Sequence, residues 1–123
     1  MGTMIRIASG LVGRLLFAIP LVMFGISHFT RAGAMAGMVP FPGQIYWVYA
    51  TGVFLLAGAV GILTDYDRKG PLAAFWTGVL ILVFAFIIHL PGIGAGASGS
   101  MIAFFKDLGL AGGAFILAGS YKR

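Results

Sequence analysis

The sequence predicts an all-α integral membrane protein, a four-helix bundle that forms one membrane domain over residues 1–123. Four apolar stretches, at 7–29, 45–63, 71–90 and 101–121, each approach the roughly 20 helical residues that cross a hydrocarbon core about 30 Å thick. The chain is 60% hydrophobic and 9% charged, with a mean hydropathy of +1.04. The connections between the stretches are short and leave no room for a soluble domain.

The first stretch combines features of a membrane helix and of a secretory signal. Arg6 and Arg14 precede an apolar run, and the small residues at 32–34 (AGA) resemble a cleavage site. Because the apolar run continues to Phe29, we interpret it as a retained helix. Pro20 cannot donate a backbone hydrogen bond and is therefore predicted to bend this helix.

Arg14 lies a turn or two inside the end of the first predicted helix, where a charge needs a partner or a route to the interface. One interpretation is a structural charge at the inner rim that extends to the interface and pairs with Asp65 or Asp67. The other is a site at the inner rim for an anion or a lipid headgroup.

Small residues on the other stretches predict how the helices pack. Membrane helices associate through close backbone approach, so Ala57-x-x-x-Gly61 in the second helix and Gly109-x-x-x-Gly113 in the fourth are predicted contact faces. After the third stretch, the glycine-rich segment 92–100 is either a loop or a re-entrant turn.

The distribution of basic residues predicts the orientation. Short loops rich in Lys and Arg stay cytoplasmic, so both termini and the 64–70 loop are predicted to face the cytoplasm of a bacterial plasma membrane. The basic residues on that side are Arg6, Arg14, Arg68, Lys69, Lys122 and Arg123, whereas the loops on the other side have Arg31 and an uncharged segment 91–100. Aromatic belts agree, with Tyr46, Trp47 and Tyr49 predicted at the outer interface and Tyr66, Trp76 and Tyr121 at the inner one.

A weak internal repeat has an offset of 61 residues. Residues 52–58 (GVFLLAG) match 113–119 (GAFILAG), and the same offset places His28 on His89. Two helices separate equivalent points, so the repeat predicts two parallel helical hairpins, as in some transporters. His28 and His89 are then expected at equal depth near the outer ends of their helices.

Five polar side chains are predicted to approach the same level at the outer rim: His28, Arg31, His89, Lys106 and Asp107. Adjacent helical residues point about 100° apart, so Asp107 is expected to meet a histidine or Arg31 rather than Lys106. Each histidine alone is typical of a structural hydrogen-bonding group at the interface. Together the five form a candidate ligand-binding pocket for a quinone headgroup, an anion or a metal, or a path for protons. Their spacing fits no stringent metal motif, so we assign no metal ligand.

Composition excludes several classes of function. The formal net charge of +5 arises from basic residues at helix ends, which anionic headgroups explain without nucleic acid. The chain has no cysteine, which excludes disulfide exchange, thiolate metal sites, iron–sulfur clusters and c-type haem attachment. No catalytic residue is identified.

Short motifs along nearly the whole chain resemble those of the DoxX/DoxD-like family. They are an Arg early in the first helix, GISHF at 25–29, VPFP at 39–42, the GxxLxxG pattern at 52–58 and HLP at 89–91. The resemblance implies a small four-helix bacterial membrane protein, in a family where some members are quinone-linked subunits, as in thiosulfate:quinone oxidoreductase. Many members have an acidic residue early in the second helix, where this chain reads VYAT at 48–51.

The leading hypothesis is an accessory or anchor subunit of a quinone-linked membrane redox system, not catalytic alone. Quinone is the candidate cofactor, and the expected partners are the lipid bilayer and other membrane subunits. Two alternatives remain open. The repeat favours a small transporter-like module, and the scarcity of polar residues favours a structural subunit of a larger membrane complex.

Overall fold

The computed structural model describes residues 1–121 and confirms the all-α fold class. Four long helices are long and apolar enough to cross a membrane: Gly2–Thr30, Gln44–Thr64, Gly70–Gly94 and Ser100–Ser120. No strand occurs among the described residues. Lys122 and Arg123, which the orientation prediction also used, lie outside them.

The connections define two ends of the bundle. The first helix leads through a short helix, Ala32–Ala36, and a proline-containing loop to the second, and a 3-10 turn at Tyr66–Arg68 joins the second and third helices. We call the end that contains His28, His89 and Lys106 the histidine rim, and the end that contains the 64–70 loop and Tyr121 the terminal rim.

Two helices are longer than their apolar stretches predict. The first begins at Gly2, and its N-terminal segments Gly2–Ile7 and Ala8–Val12 contain no buried residue, so this part extends past the rest of the bundle. The third continues through Pro91 to Gly94, so that the first three residues of the segment 92–100, predicted as a loop or a re-entrant turn, are helical. Pro91 lies in the first turn of this last α-helical segment, directly after the π-helical turn Ala85–His89.

Two wide π-helical turns interrupt the long helices, at Ala8–Val12 and at Ala85–His89. In the first helix, Gly10 alone departs from helical dihedral angles (φ −98°, ψ −115°). The segment Gly13–Thr30 remains α-helical through Pro20. This departure lies ten residues before Pro20, where glycine permits the unusual dihedral angles, and the bend at Pro20 stays a prediction.

Packing is most extensive between the first and second helices and between the third and fourth, while the second and third join the two hairpins. Gly25 and Gly52 bring the backbones of the first hairpin close together, since a Cβ atom on either would lie 3.2 to 3.3 Å from the carbonyl oxygen of the other. The predicted face at Gly61 packs on Ala73. In contrast, a Cβ atom placed on Gly109 would have no neighbour within 4 Å. The prediction that Gly109 belongs to a contact face of the fourth helix is therefore wrong.

Burial follows the pattern of a protein dissolved in lipid. The core contains many small side chains, such as Ala18, Ala59, Ala74, Ala111 and Ala114. Large apolar side chains face outward along the helices, including Leu16, Val60 and Ile116. Soluble proteins rarely expose continuous apolar surface of this kind. The chain is a multi-pass membrane protein.

Candidate functional site

A cavity of about 540 Å³ opens at the histidine rim. All four long helices and the 31–41 connection contribute to its wall. The wall is mainly apolar, with Leu21, Phe24, Met35, Met38, Val39, Pro40, Phe41, Trp47, Val48, Leu55, Leu80, Ile81, Val83, Phe84, Ile87, Ile88 and Leu110, and its polar members are Ser27, His28, Arg31, Thr51, His89, Lys106 and Asp107. A concave apolar space with a few polar groups is the usual form of a small-molecule site.

The cavity extends from the rim to the middle of the helices. His28 and Leu21 are separated by about 10 Å along the first helix, and His89 and Leu80 by about 13 Å along the third, at about 1.5 Å per residue. Below this level Ala18, Ala59 and Ala74 are at most 1% exposed, so packed side chains fill the terminal half of the bundle. The cavity therefore does not continue through the terminal half of the bundle.

His89 and Asp107 form the most enclosed polar pair in the cavity. His89 Nε2 lies 3.3 Å from Asp107 Oδ2, and the two side chains are 20% and 9% exposed. The π-helical turn at Ala85–His89 ends at this histidine, and such turns are frequent at functional sites. Of the two kinds of partner predicted for Asp107, a histidine or Arg31, the structure has the histidine.

Phe24 positions two other polar groups of the cavity. His28 Nδ1 lies 2.6 Å from the Phe24 carbonyl oxygen, one turn earlier in the same helix. The Lys106 ammonium lies 5.3 Å from the centre of the Phe24 ring, a cation–π contact between the fourth and first helices. Lys106 is exposed and also contributes to the cavity wall.

The structure thus brings all five predicted residues, His28, Arg31, His89, Lys106 and Asp107, to one cavity. Arg31 lies exposed at the mouth. Ligand binding by these residues stays a prediction. The two histidines have different partners, Phe24 and Asp107, and their equal depth also stays a prediction.

Sequence reasoning missed two contributions to the cavity. Thr51 adds a hydroxyl from the second helix. Val39, Pro40 and Phe41 form part of the wall, and the proline-rich motif was the signal that could have assigned this loop to the site. Trp47 Nε1 donates a hydrogen bond of 3.0 Å to the Pro42 carbonyl, which joins that loop to the second helix.

Arg14 lies at the other end of the bundle, and its predicted partners are wrong. Its guanidinium lies 4.0 Å from the centre of the Tyr121 ring, and no ion pair joins it to Asp65 or Asp67. Tyr121 is itself buried at 7% exposure and donates a hydrogen bond of 2.7 Å to the Ile62 carbonyl. Tyr121 is therefore a core residue rather than the predicted member of an interfacial aromatic belt.

Among the described residues, no three His, Asp or Glu side chains form a cluster that could hold a metal ion. No protein family model matches the chain. No solved structure matches it either.

Proposed function

We propose that this protein binds a membrane quinone in the cavity at the histidine rim and serves as a DoxX-like accessory or anchor subunit of a quinone-linked membrane redox system. The observation that supports this proposal best is an apolar cavity that contains the enclosed His89–Asp107 pair. A quinone also combines an apolar part with a polar part, since its isoprenoid tail is apolar and its headgroup oxygens form hydrogen bonds. Imidazole can accept or donate such bonds.

Features of the cavity favour this function over the two alternatives. A transporter-like module needs a water-filled path between the hairpins, whereas the terminal half of the bundle is packed with side chains such as Ala18 and Ala74. A purely structural subunit needs no internal space, whereas this cavity is as large as many ligand sites. The exposed apolar helix faces suit contact with lipid and with other membrane subunits.

Tryptophan fluorescence tests the proposal, because the two tryptophans of the chain lie in different environments. Trp47 lines the cavity, whereas Trp76 lines a shallow groove between the second and third helices toward the terminal rim. We expect a short-chain ubiquinone to quench the Trp76→Phe variant, in which Trp47 is the only tryptophan, with a saturable concentration dependence. The protein is measured in lipid nanodiscs.

The matched control is Trp47→Phe, which leaves Trp76 as the only tryptophan. Quinone dissolved in the surrounding lipid should quench Trp76 without saturation, since no cavity concentrates it there. Equal, unsaturable quenching of both single-tryptophan variants would contradict quinone binding and would favour the structural subunit.

We propose further that the membrane is the bacterial plasma membrane and that the terminal rim faces the cytoplasm. Because the natural chain has no cysteine, single cysteines report the orientation without background. Ser98→Cys, in the connection between the third and fourth helices, is expected to react with an impermeant maleimide on intact cells, and Lys69→Cys only after lysis. The reverse pattern would place the cavity mouth on the cytoplasmic side.

A further inference from the structure

The local partner of His28 determines which of its ring nitrogens is free to meet a ligand. His28 Nδ1 lies 2.6 Å from the Phe24 carbonyl oxygen. A carbonyl oxygen can only accept a hydrogen bond, so Nδ1 is the nitrogen that has the proton. In the neutral ring Nε2 is then an acceptor.

The same reasoning applies to His89 with the nitrogens exchanged. His89 Nε2 lies 3.3 Å from Asp107 Oδ2, an ion-pair distance, and an ionised carboxylate oxygen attracts the ring proton. The contact favours the neutral tautomer with the proton on Nε2, in which Nδ1 is the acceptor. A contact between one ring nitrogen and a nearby carbonyl or carboxylate is the usual way in which a protein fixes a histidine tautomer.

The cavity thus contains two histidines whose donor nitrogens are already used by protein oxygens. The charged hydrogen-bond donors of the cavity wall are Arg31 and Lys106, and both are exposed near the cavity mouth. A ligand oxygen next to the histidines meets acceptors and must supply the proton itself. An oxidised quinone has only carbonyl oxygens, whereas its reduced form, the hydroquinone, has two hydroxyl groups.

We propose that the cavity selects the hydroquinone over the quinone, with His28 and His89 as acceptors for its hydroxyl groups. Asp107 is the positioning residue, because it holds the His89 tautomer that accepts. This inference rests on the proposed function and specifies which redox form of the ligand the site retains. A subunit with this preference holds reduced quinone next to its partner enzyme, whichever direction that enzyme works.

Anaerobic equilibrium dialysis tests the preference directly. Nanodiscs with the protein are dialysed against short-chain ubiquinone or ubiquinol at about pH 8, where ordinary imidazole is neutral, and empty nanodiscs correct for lipid partition. We expect ubiquinol to bind about tenfold more tightly, because its hydroxyl groups can donate to the imidazole acceptors. For a two-electron couple, a tenfold preference raises the midpoint potential of the bound ligand by about 30 mV.

Asp107→Asn separates a tautomer effect from a general loss of affinity. The amide of asparagine can donate as well as accept, so His89 is free to present an N–H to a carbonyl oxygen. We expect the affinity ratio to fall toward one, mainly through tighter binding of the oxidised form. Asp67→Asn, the same change in an exposed residue at the terminal rim, is the matched control and should keep the wild-type ratio.

His28→Ala provides a second variant that leaves the His89–Asp107 pair intact, and it should lower the ratio by weakening ubiquinol binding. Equal affinity of the wild-type protein for both forms would overturn the inference and leave the proposed function standing. So would an unchanged preference in both cavity variants. Absence of saturable binding of either form would overturn the proposed function itself.

Discussion

Gly52→Val is expected to lower the free energy of unfolding by about 3 kcal/mol, the upper end of the usual cost of overpacking. A Cβ atom at position 52 would lie 2.7 Å from Phe29 Cε2, 2.9 Å from His28 Cβ and 3.2 Å from the Gly25 carbonyl oxygen. The backbone of the first helix cannot yield as a flexible side chain can. The two helices must therefore separate, and His28 moves with them.

Thermal unfolding in detergent, followed by circular dichroism, measures this effect. Gly112→Val is the matched control, since a Cβ at Gly112 has no neighbour within 4 Å. The free energy of unfolding of the control should lie within about 0.5 kcal/mol of the wild-type value, as is usual for surface substitutions. Equal stability of the two variants would show that the Gly25–Gly52 contact does not hold the first hairpin together.

The His89–Asp107 pair is expected to give unequal losses when either partner is removed. His89→Leu should cost about 2–3 kcal/mol of stability, because it leaves a carboxylate of 9% exposure without its partner; the value lies below that of fully buried pairs because the imidazole is 20% exposed. Asp107→Leu should cost about 1 kcal/mol, since imidazole can remain neutral. The double variant should regain most of the loss, because apolar residues often replace a buried pair without cost.

Stability and ligand binding are expected to diverge in the double variant. It should unfold like the wild type and still bind short-chain ubiquinol about tenfold more weakly, by anaerobic equilibrium dialysis. The exposed pair Asp67–Lys69, at 3.9 Å, offers a control double substitution, Asp67→Asn with Lys69→Gln, that should change neither property, because asparagine tolerates the φ of 52° at position 67. Full ligand affinity in the His89→Leu, Asp107→Leu variant would exclude this pair from the site.

The sequence predicts the four helices well because their signal is local. An apolar stretch of about 20 residues specifies a spanning helix without knowledge of its neighbours. The sequence did not predict that the first helix begins at Gly2 or that the third continues past Pro91. Both segments lie where hydropathy falls but helical hydrogen bonding continues. The position of each residue along its helix could also be predicted from the sequence, and these positions placed the five polar residues at one rim.

Contacts between helices were harder to predict, because they depend on rotation about each helix axis. Gly109 and Gly61 occur in similar small-residue patterns, yet only Gly61 packs against another helix, on Ala73. The cavity likewise results from which faces of four helices fail to fill the space between them. The partner of Arg14 was missed for a different reason. Charge pairing predicted an aspartate, whereas the guanidinium of Arg14 lies against the ring of Tyr121.

Tyr121 connects three helices at the terminal rim. It ends the fourth helix, its ring lies against Arg14 of the first, and its hydroxyl group donates to Ile62 of the second. At the opposite rim the same helices surround empty volume. We expect any relative tilting of the helices to pivot near Tyr121, with an amplitude that grows with distance from that residue. Small rigid-body rotations about this point would change the width of the cavity while every helix stays folded.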